Sequence, residues 1–165
     1  MPSEPLFSPA QRMLLTSARR AVLATIAPDG RPRLVPICFV VDGEPPTLYT
    51  PIDDKPKRSD APLALARVRD IAADPRVTVL VDRWDEDWPR LAWLRADCRA
   101  TLLEPGAGPE EHSAAVAALR TKYPRYATHR LEERPLIRIA LERVTSWGQL
   151  DEMIQPQTTR SQEQP

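Results

Sequence analysis

AVLATIAPDGRPRLVPICFVV, residues 21–41, contains two apolar runs separated by a turn sequence. The first run, Ala21–Ala27, is typical of a strand, and the Pro-Asp-Gly sequence after it is typical of a hairpin turn. The second run, residues 33–41, is therefore predicted to be the next strand of the hairpin. Pro36 lies inside this run and has no N–H, so it predicts a sheet edge, a bulge or a place where a ligand replaces the neighbouring strand.

A third predicted strand, around residues 47–50, leads into a basic loop. The sequence LYTPIDDKPKR, residues 48–58, ends with three basic residues in four positions and precedes a predicted helix. Backbone N–H groups and the dipole at a helix N-terminus favour an anion, and basic side chains add charge-assisted hydrogen bonds. The stretch therefore predicts a phosphate site. For KPKR taken alone, a solvated basic loop is the simpler interpretation.

The rest of the chain alternates between predicted helices and strands. A capping box at residues 8–11 begins a helix that runs to about Arg19 or Arg20, and further helices are predicted over 63–73 and 108–122. Strands are predicted over 76–82, 90–103 and 136–141. Six antiparallel strands with inserted helices predict a small barrel, because open sheet edges are a liability. Residues 1–150 are predicted to form one domain, and 151–165 a flexible tail.

Composition argues against several classes of function. The 165 residues include 23 Lys and Arg and 23 Asp and Glu, so net charge gives no support to binding of nucleic acid or of an anionic membrane. Two cysteines without metal or disulfide spacing fit a reducing cytosol, and two histidines argue against a zinc site. No export signal and no apolar window of about 18 residues is present, which favours a cytoplasmic protein.

Several conspicuous residues have plain structural interpretations. Trp93 lies in a predicted strand and is expected in the core, because a buried indole contributes a large apolar area. The acidic residues 85–87 are expected to face water rather than to catalyse. His112 and His129 are expected at the surface. The two cysteines, Cys38 and Cys98, are expected to be small core residues, since neither has an adjacent base.

Five short motifs occur in an order that resembles the pyridoxamine-5'-phosphate-oxidase-like split β-barrel family. They are DGRPRLVP at 29–36, YT at 49–50, KPKR at 55–58, ADPRV at 73–77 and DEDW at 85–88. The likeness covers roughly Phe7 to Trp147 and is strongest to the subgroup of enzymes that use the deazaflavin coenzyme F420. The resemblance implies a six-stranded antiparallel split β-barrel of the FMN-binding type, assembled as a homodimer.

The resemblance also implies where a cofactor would bind. The backbone of the second strand would run along the flavin-type ring, hydroxyl groups at the end of the third strand would reach the phosphate chain, and the basic loop would hold phosphate. One further polar ligand would come from the long fifth strand, and two tryptophans would close the site from the partner chain at the dimer interface. These positions are Arg33, Leu34, Val35, Pro36, Ile37, Tyr49, Thr50, Lys55, Lys57, Arg58, Arg90, Trp88 and Trp147.

The resulting hypothesis is an oxidoreductase that binds coenzyme F420 and delivers hydride from the reduced deazaflavin to a small electron-poor acceptor. An FMN-dependent oxidase or reductase is the first alternative, because the same barrel and phosphate loop permit it. A non-catalytic flavin-binding or deazaflavin-binding protein is the second, favoured by the lack of a committed acid–base residue. No catalytic residue is assigned, and a proton would come from substrate, water or Tyr49.

Overall fold

The computed structural model describes residues 6–52 and 65–150, and within these ranges the chain forms three α-helices, three 3-10 helices and seven strands. The α-helices are α1 Pro9–Ser17, α2 Ala66–Ala73 and α3 Pro109–Lys122. The 3-10 helices are Trp88–Arg90, Pro124–Thr128 and Leu131–Glu133. The strands are β1 Ala21–Ile26, β2 Pro32–Ile37, β3 Val40–Asp42, β4 Thr47–Pro51, β5 Arg76–Arg83, β6 Ala92–Leu103 and β7 Leu136–Gly148.

All seven strands form one antiparallel sheet in the order β2-β1-β5-β6-β7-β4-β3. The two edge strands, β2 and β3, are consecutive in the chain and are separated only by Cys38 and Phe39. Because two residues cannot span an open seven-stranded sheet, the end of β2 lies close to the start of β3 and the sheet curls into a barrel. The predicted fold class is confirmed.

The predicted strand 33–41 is two strands, which raises the strand count from six to seven. The break falls at Phe39, whose backbone bonds to a side chain instead of to a neighbouring strand. Its N–H donates to the Tyr123 hydroxyl at 3.1 Å, and the same hydroxyl donates to its carbonyl oxygen at 3.0 Å. Tyr123 therefore satisfies the main chain at the point where the chain crosses from one edge of the sheet to the other.

Other predicted boundaries are close to those observed. The capping box is confirmed, since the Ser8 hydroxyl accepts from the Gln11 N–H at 3.2 Å and the Gln11 side chain accepts from the Ser8 N–H at 2.8 Å. The first helix ends at Ser17, short of the predicted Arg19 or Arg20. The last strand continues to Gly148, well beyond the predicted end at residue 141, because it pairs with β6 along its whole length.

Two clusters of buried residues form the core. The larger fills the barrel and includes Leu23, Val79 and Leu94, and the smaller lies between α3 and the strands β3 and β4. Cys98 belongs to the first cluster, as predicted, and its burial raises the pKa of its thiol to about 12. No helix among the described residues combines the length and the apolar character needed to cross a membrane.

The prediction that His112 lies at the surface is wrong. Its side chain is only 3% exposed, and Nε2 lies 2.8 Å from the carbonyl oxygen of Arg134. The residues three, four and seven positions further along α3 are Ala115, Val116 and Leu119, all buried. Helical spacing places these four residues on one face, so the pattern contained the signal that His112 belongs to the packed face.

Candidate cofactor-binding site

The strand that is predicted to run along a cofactor ring lies at an edge of the sheet. β2 pairs with β1, with Pro36 opposite Val22, and has no second neighbour among the described residues. The prediction that Pro36 marks an edge is confirmed. Leu34 shares its outward face and is 62% exposed, whereas Ile37, on the other face, is buried. The strand therefore presents an open backbone edge with exposed apolar side chains beside it.

A buried carboxylate fixes this edge strand in place. Asp70 on α2 is 1% exposed, and its Oδ2 accepts hydrogen bonds from the Thr25 hydroxyl at 2.8 Å and from Arg33 Nη1 at 2.6 Å. Arg33 Nη1 also lies 2.7 Å from Oδ1. Thr25 is on β1 and Arg33 is on β2. One side chain from α2 thus joins the helix to both strands of the first hairpin.

The predicted phosphate ligands Lys55, Lys57 and Arg58 lie outside the described residues. The described chain stops at Ile52, which is fully buried after β4, and resumes at Leu65, which is the N-cap residue of α2. A leucine has no side-chain acceptor for the first N–H groups of the helix. The role of the three basic residues stays a prediction.

The two hydroxyl residues at the end of the third predicted strand point to opposite faces of β4. The Tyr49 hydroxyl donates to Glu111 Oε1 at 2.6 Å, and Arg138 Nε donates to the same oxygen at 2.8 Å. Burial, followed by the bond to Glu111, raises the pKa of Tyr49 to about 12. Thr50 is 2% exposed and shares the barrel-facing side with Leu48, since strand residues alternate. Their roles toward phosphate stay predictions.

The two tryptophans predicted to close the site lie together. Trp88 is 72% and Trp147 is 56% exposed, and both line a cavity of about 380 Å³. Trp147 stands opposite Trp93 in the pairing of β6 with β7. Trp93 is half-buried on the outer face of β6, so the expectation that it lies in the core is wrong. The core face of that strand is formed by Ala92, Leu94 and Ala96.

Gly148 permits the close approach of the chain beneath this cavity. It has φ of 98°, and a Cβ added to it would lie 2.1 Å from the carbonyl oxygen of Leu91. A side chain at this position would have to displace backbone, and L-residues rarely adopt this φ. The glycine therefore fixes the end of β7, and with it Trp147, against the start of β6.

Arg90 lies in the 3-10 helix before β6 and not on the strand where it was predicted. Its Nε is 3.3 Å from Asp85 Oδ2, and its carbonyl oxygen accepts from Arg83 Nε at 2.7 Å. Asp85 also accepts from the N–H of Asp87 at 2.9 Å. Through these contacts Asp85 stabilises the turn between β5 and β6. A role for Arg90 toward a cofactor stays a prediction.

The sequence matches a known family over nearly all of the described chain. The profile of the pyridoxamine 5'-phosphate oxidase family matches residues 7–148. The chain belongs to this family. The pyridoxamine 5'-phosphate oxidase family comprises flavin-binding oxidoreductases, so this membership makes the chain a flavin-related protein at the level of family. No curated protein matches the sequence.

Three solved structures illustrate the likeness. A conserved hypothetical protein from Mycobacterium tuberculosis superimposes with a TM-score of 0.67 at 20% identity, over 98% of this chain and 96% of that one. An F420 reductase gives a TM-score of 0.59 at 19% identity, over 84% and 98%. An FAD-binding protein from Mesorhizobium loti gives 0.57 at 24% identity, over 82% and 87%. At these identities the likeness establishes the fold.

Proposed function

We propose that this chain is a homodimeric oxidoreductase that binds coenzyme F420 and uses the reduced deazaflavin to transfer hydride to a small electron-poor organic acceptor. The observation that carries the proposal is the outer edge of β2, which pairs with no strand in residues 6–52 and 65–150, in a barrel of the pyridoxamine 5'-phosphate oxidase family. A strand that has no neighbour on one side can lie along a planar ring there.

The residues of β2 fit such a ring. Pro36 has no N–H, so it has no backbone donor that could be left unsatisfied when an apolar ring lies against the strand. Leu34 supplies an exposed apolar contact on the same strand. The Asp70 network holds β2 against α2, so the strand is fixed before a ligand arrives, which lowers the entropic cost of binding. Lys55, Lys57 and Arg58 would then hold the phosphate.

The choice of F420 over FMN is supported by the sequence motifs of the deazaflavin subgroup and by the shared fold of an F420 reductase. FMN is the alternative, and the likeness to an FAD-binding protein supports it. The bound cofactor supplies the hydride chemistry. The chain binds and orients it, and the exposed tryptophans exclude water once a partner covers them. The Tyr49 proton is donated to Glu111, which favours water or substrate as the proton source.

Homodimer formation is supported by the apolar surface that a single chain leaves open. Trp84, Trp88 and Trp147 are each more than half exposed, and Leu34 on β2 is 62% exposed. Tryptophans at such positions are enriched at protein interfaces, where their large apolar area is covered. A second copy that covers Trp88 and Trp147 would also complete the cavity that these two residues line.

The proposal is tested by titrating the purified protein with coenzyme F420 and, separately, with FMN while following tryptophan fluorescence. We expect micromolar or tighter binding of F420 and much weaker binding of FMN. The double change Lys55→Ala with Lys57→Ala should weaken F420 binding by about 1.5–3 kcal/mol for each charged hydrogen bond lost. The matched control is Arg31→Ala, because Arg31 is an exposed basic residue in the β1–β2 turn.

Each other outcome has a definite meaning. Tighter binding of FMN would replace the proposal with the FMN-dependent enzyme, and binding of neither ligand would refute it. Binding of F420 without turnover of a panel of activated alkenes and imines would identify a non-catalytic binding protein. Sedimentation of the wild type as a dimer, and of a Trp88→Ala, Trp147→Ala variant as a monomer, would support the interface. A wild-type monomer would remove the dimer from the proposal.

A further inference from the structure

A second cavity, separate from the one that Trp147 lines, lies beside the two-residue link between β2 and β3. We call it the seam cavity. It has a volume of about 280 Å³. Its walls come from the segment before β1, from the β2–β3 link and from the chain around the 3-10 helix Pro124–Thr128. Its lining residues are Arg19, Cys38, Tyr123, Pro124, Arg125, Tyr126 and His129. The cavity is separate from the residues proposed to bind the cofactor.

The aromatic walls of the seam cavity are held rigidly. Tyr123 and Tyr126 are 8% and 3% exposed, and their rings meet edge to face with centroids 5.7 Å apart. The Tyr123 hydroxyl is bonded to the backbone of Phe39, and the Tyr126 carbonyl oxygen accepts from Arg120 Nε at 3.2 Å. Rigid aromatic walls favour a flat apolar group, because neither side has to be ordered on binding.

The charged side chains that line the seam cavity, within the part of the chain that the structure describes, are basic. Arg19 and Arg125 line it, and neither is paired with a carboxylate within residues 6–52 and 65–150. The Arg19 guanidinium instead lies 4.8 Å from the centroid of the Tyr123 ring and donates to the Lys122 carbonyl oxygen at 2.6 Å. The Lys122 ammonium lies close by, 4.1 Å from the centroid of the Phe39 ring. Burial, and then the charge of Arg19, lower the pKa of Lys122 to about 8.

We propose that the seam cavity is a binding site for a small aromatic carboxylate. The ring would lie against Tyr123 and Tyr126, and the carboxylate would face the guanidinium groups of Arg19 and Arg125, which suit a planar anion. The volume of about 280 Å³ lies just below the roughly 300–1,000 Å³ of pockets that hold drug-sized ligands, so a nucleotide would not fit and a benzoate-sized anion does.

The test is a titration of the full chain, free of added cofactor, with sodium benzoate, followed by ¹H–¹⁵N correlation spectra. We expect saturable shifts of the backbone amides of Cys38, Tyr123, Tyr126 and His129. Benzyl alcohol, which keeps the ring and lacks the charge, should bind at least fivefold more weakly. Sodium acetate, which keeps the charge and lacks the ring, should also bind at least fivefold more weakly.

Arg125→Gln should raise the dissociation constant of benzoate about five- to tenfold, because an exposed guanidinium contributes less than a fully buried one. Arg31→Gln is the matched control and should leave it within twofold, since Arg31 is an exposed arginine at the opposite end of β2. The assignment is overturned if these amides do not shift, if sodium chloride reproduces the shifts, or if both variants change the dissociation constant equally. None of these results depends on cofactor binding.

Discussion

Two carboxylates on different sides of the barrel have the same kinds of partner and differ in burial. Asp70 accepts from the Thr25 hydroxyl and from Arg33, and Glu111 accepts from the Tyr49 hydroxyl and from Arg138. Asp70 is 1% exposed, whereas the Glu111 side chain is 39% exposed. We call Asp70 with its donors the buried pair, and Glu111 with its donors the exposed pair, after the exposure of the two carboxylates. Although the donors are of the same kinds, removing one should lower the free energy of unfolding by different amounts in the two pairs, because the carboxylates differ in burial.

The difference follows from access to water. When a donor leaves the exposed pair, water can replace it, and exposed ion pairs contribute little to stability. When a donor leaves the buried pair, a charge remains in a site that water does not reach, and the cost rises to several kcal/mol. The two pairs also join different elements of the fold. Asp70 ties β2 to α2, beside the candidate cofactor site, whereas Glu111 ties α3 to β4 and β7.

Arg33→Met should have the largest effect. It removes the guanidinium from Asp70 and keeps a side chain of similar length, so we expect the free energy of unfolding to fall by about 3 kcal/mol at pH 7, the lower end for breaking a buried pair because Arg33 is itself half-exposed. Urea denaturation measures the change. Arg138→Met is the matched control in the exposed pair and should cost no more than about 1 kcal/mol. An equal loss of unfolding free energy in the two variants would show that burial of the carboxylate does not set the cost of removing its arginine.

Thr25→Val should cost less, about 1.5 kcal/mol, because it removes one hydrogen bond to a charged group and leaves the ion pair with Arg33 in place. Valine keeps the shape and the strand preference of threonine, so the loss reports the hydroxyl. The double variant with Arg33→Met should deviate from additivity, since both changes act on one carboxylate. Strict additivity, measured in the same urea series, would mean that Thr25 and Arg33 do not share Asp70.

The sequence was sufficient for the parts of the fold that depend on local pattern. Alternation in Val77, Val79 and Val81 predicted a strand, and all three face the core. The break at Phe39 was not predictable in the same way, because the apolar run around it is continuous and the group that satisfies its backbone is Tyr123, 84 residues away.

The residues of the candidate site also differ in whether the local sequence could predict their role. The edge position of Pro36 was predictable from the residue itself, because a residue without an N–H is found at a sheet edge. Asp70 carried none, since an acidic residue on a short helix is usually solvated and its partners Thr25 and Arg33 lie 45 and 37 residues away. The family resemblance predicted that β2 runs along a cofactor, and only the folded chain shows the carboxylate that holds this strand.

Tyr49→Phe tests the hydroxyl of the exposed pair. We expect a loss of about 1 kcal/mol near neutral pH, from one hydrogen bond to a carboxylate. The pKa of Tyr49 is raised from 10.0 to about 12 in the folded chain, so this stabilisation is fully present below pH 10 and is lost as the pH rises toward 12. Thermal unfolding of both proteins from pH 8 to 12 should therefore show a difference that shrinks above pH 10. A constant difference would show that the phenol ionises alike in both states.

Glu111→Gln should have the smallest effect at neutral pH, below about 1 kcal/mol, because the carboxylate is partly solvated and glutamine keeps an oxygen that can accept from Tyr49. Its signature is the pH dependence. The hydrogen bonds from Tyr49 and then from Arg138 lower the pKa of Glu111 from its usual 4.5, so the stabilisation is present above pH 4.5 and is lost as the pH falls through the lowered value. The wild type should lose its small advantage over the variant in that acidic range. An advantage that persists unchanged to pH 2 would show that packing of α3, rather than the charge on Glu111, accounts for the contact.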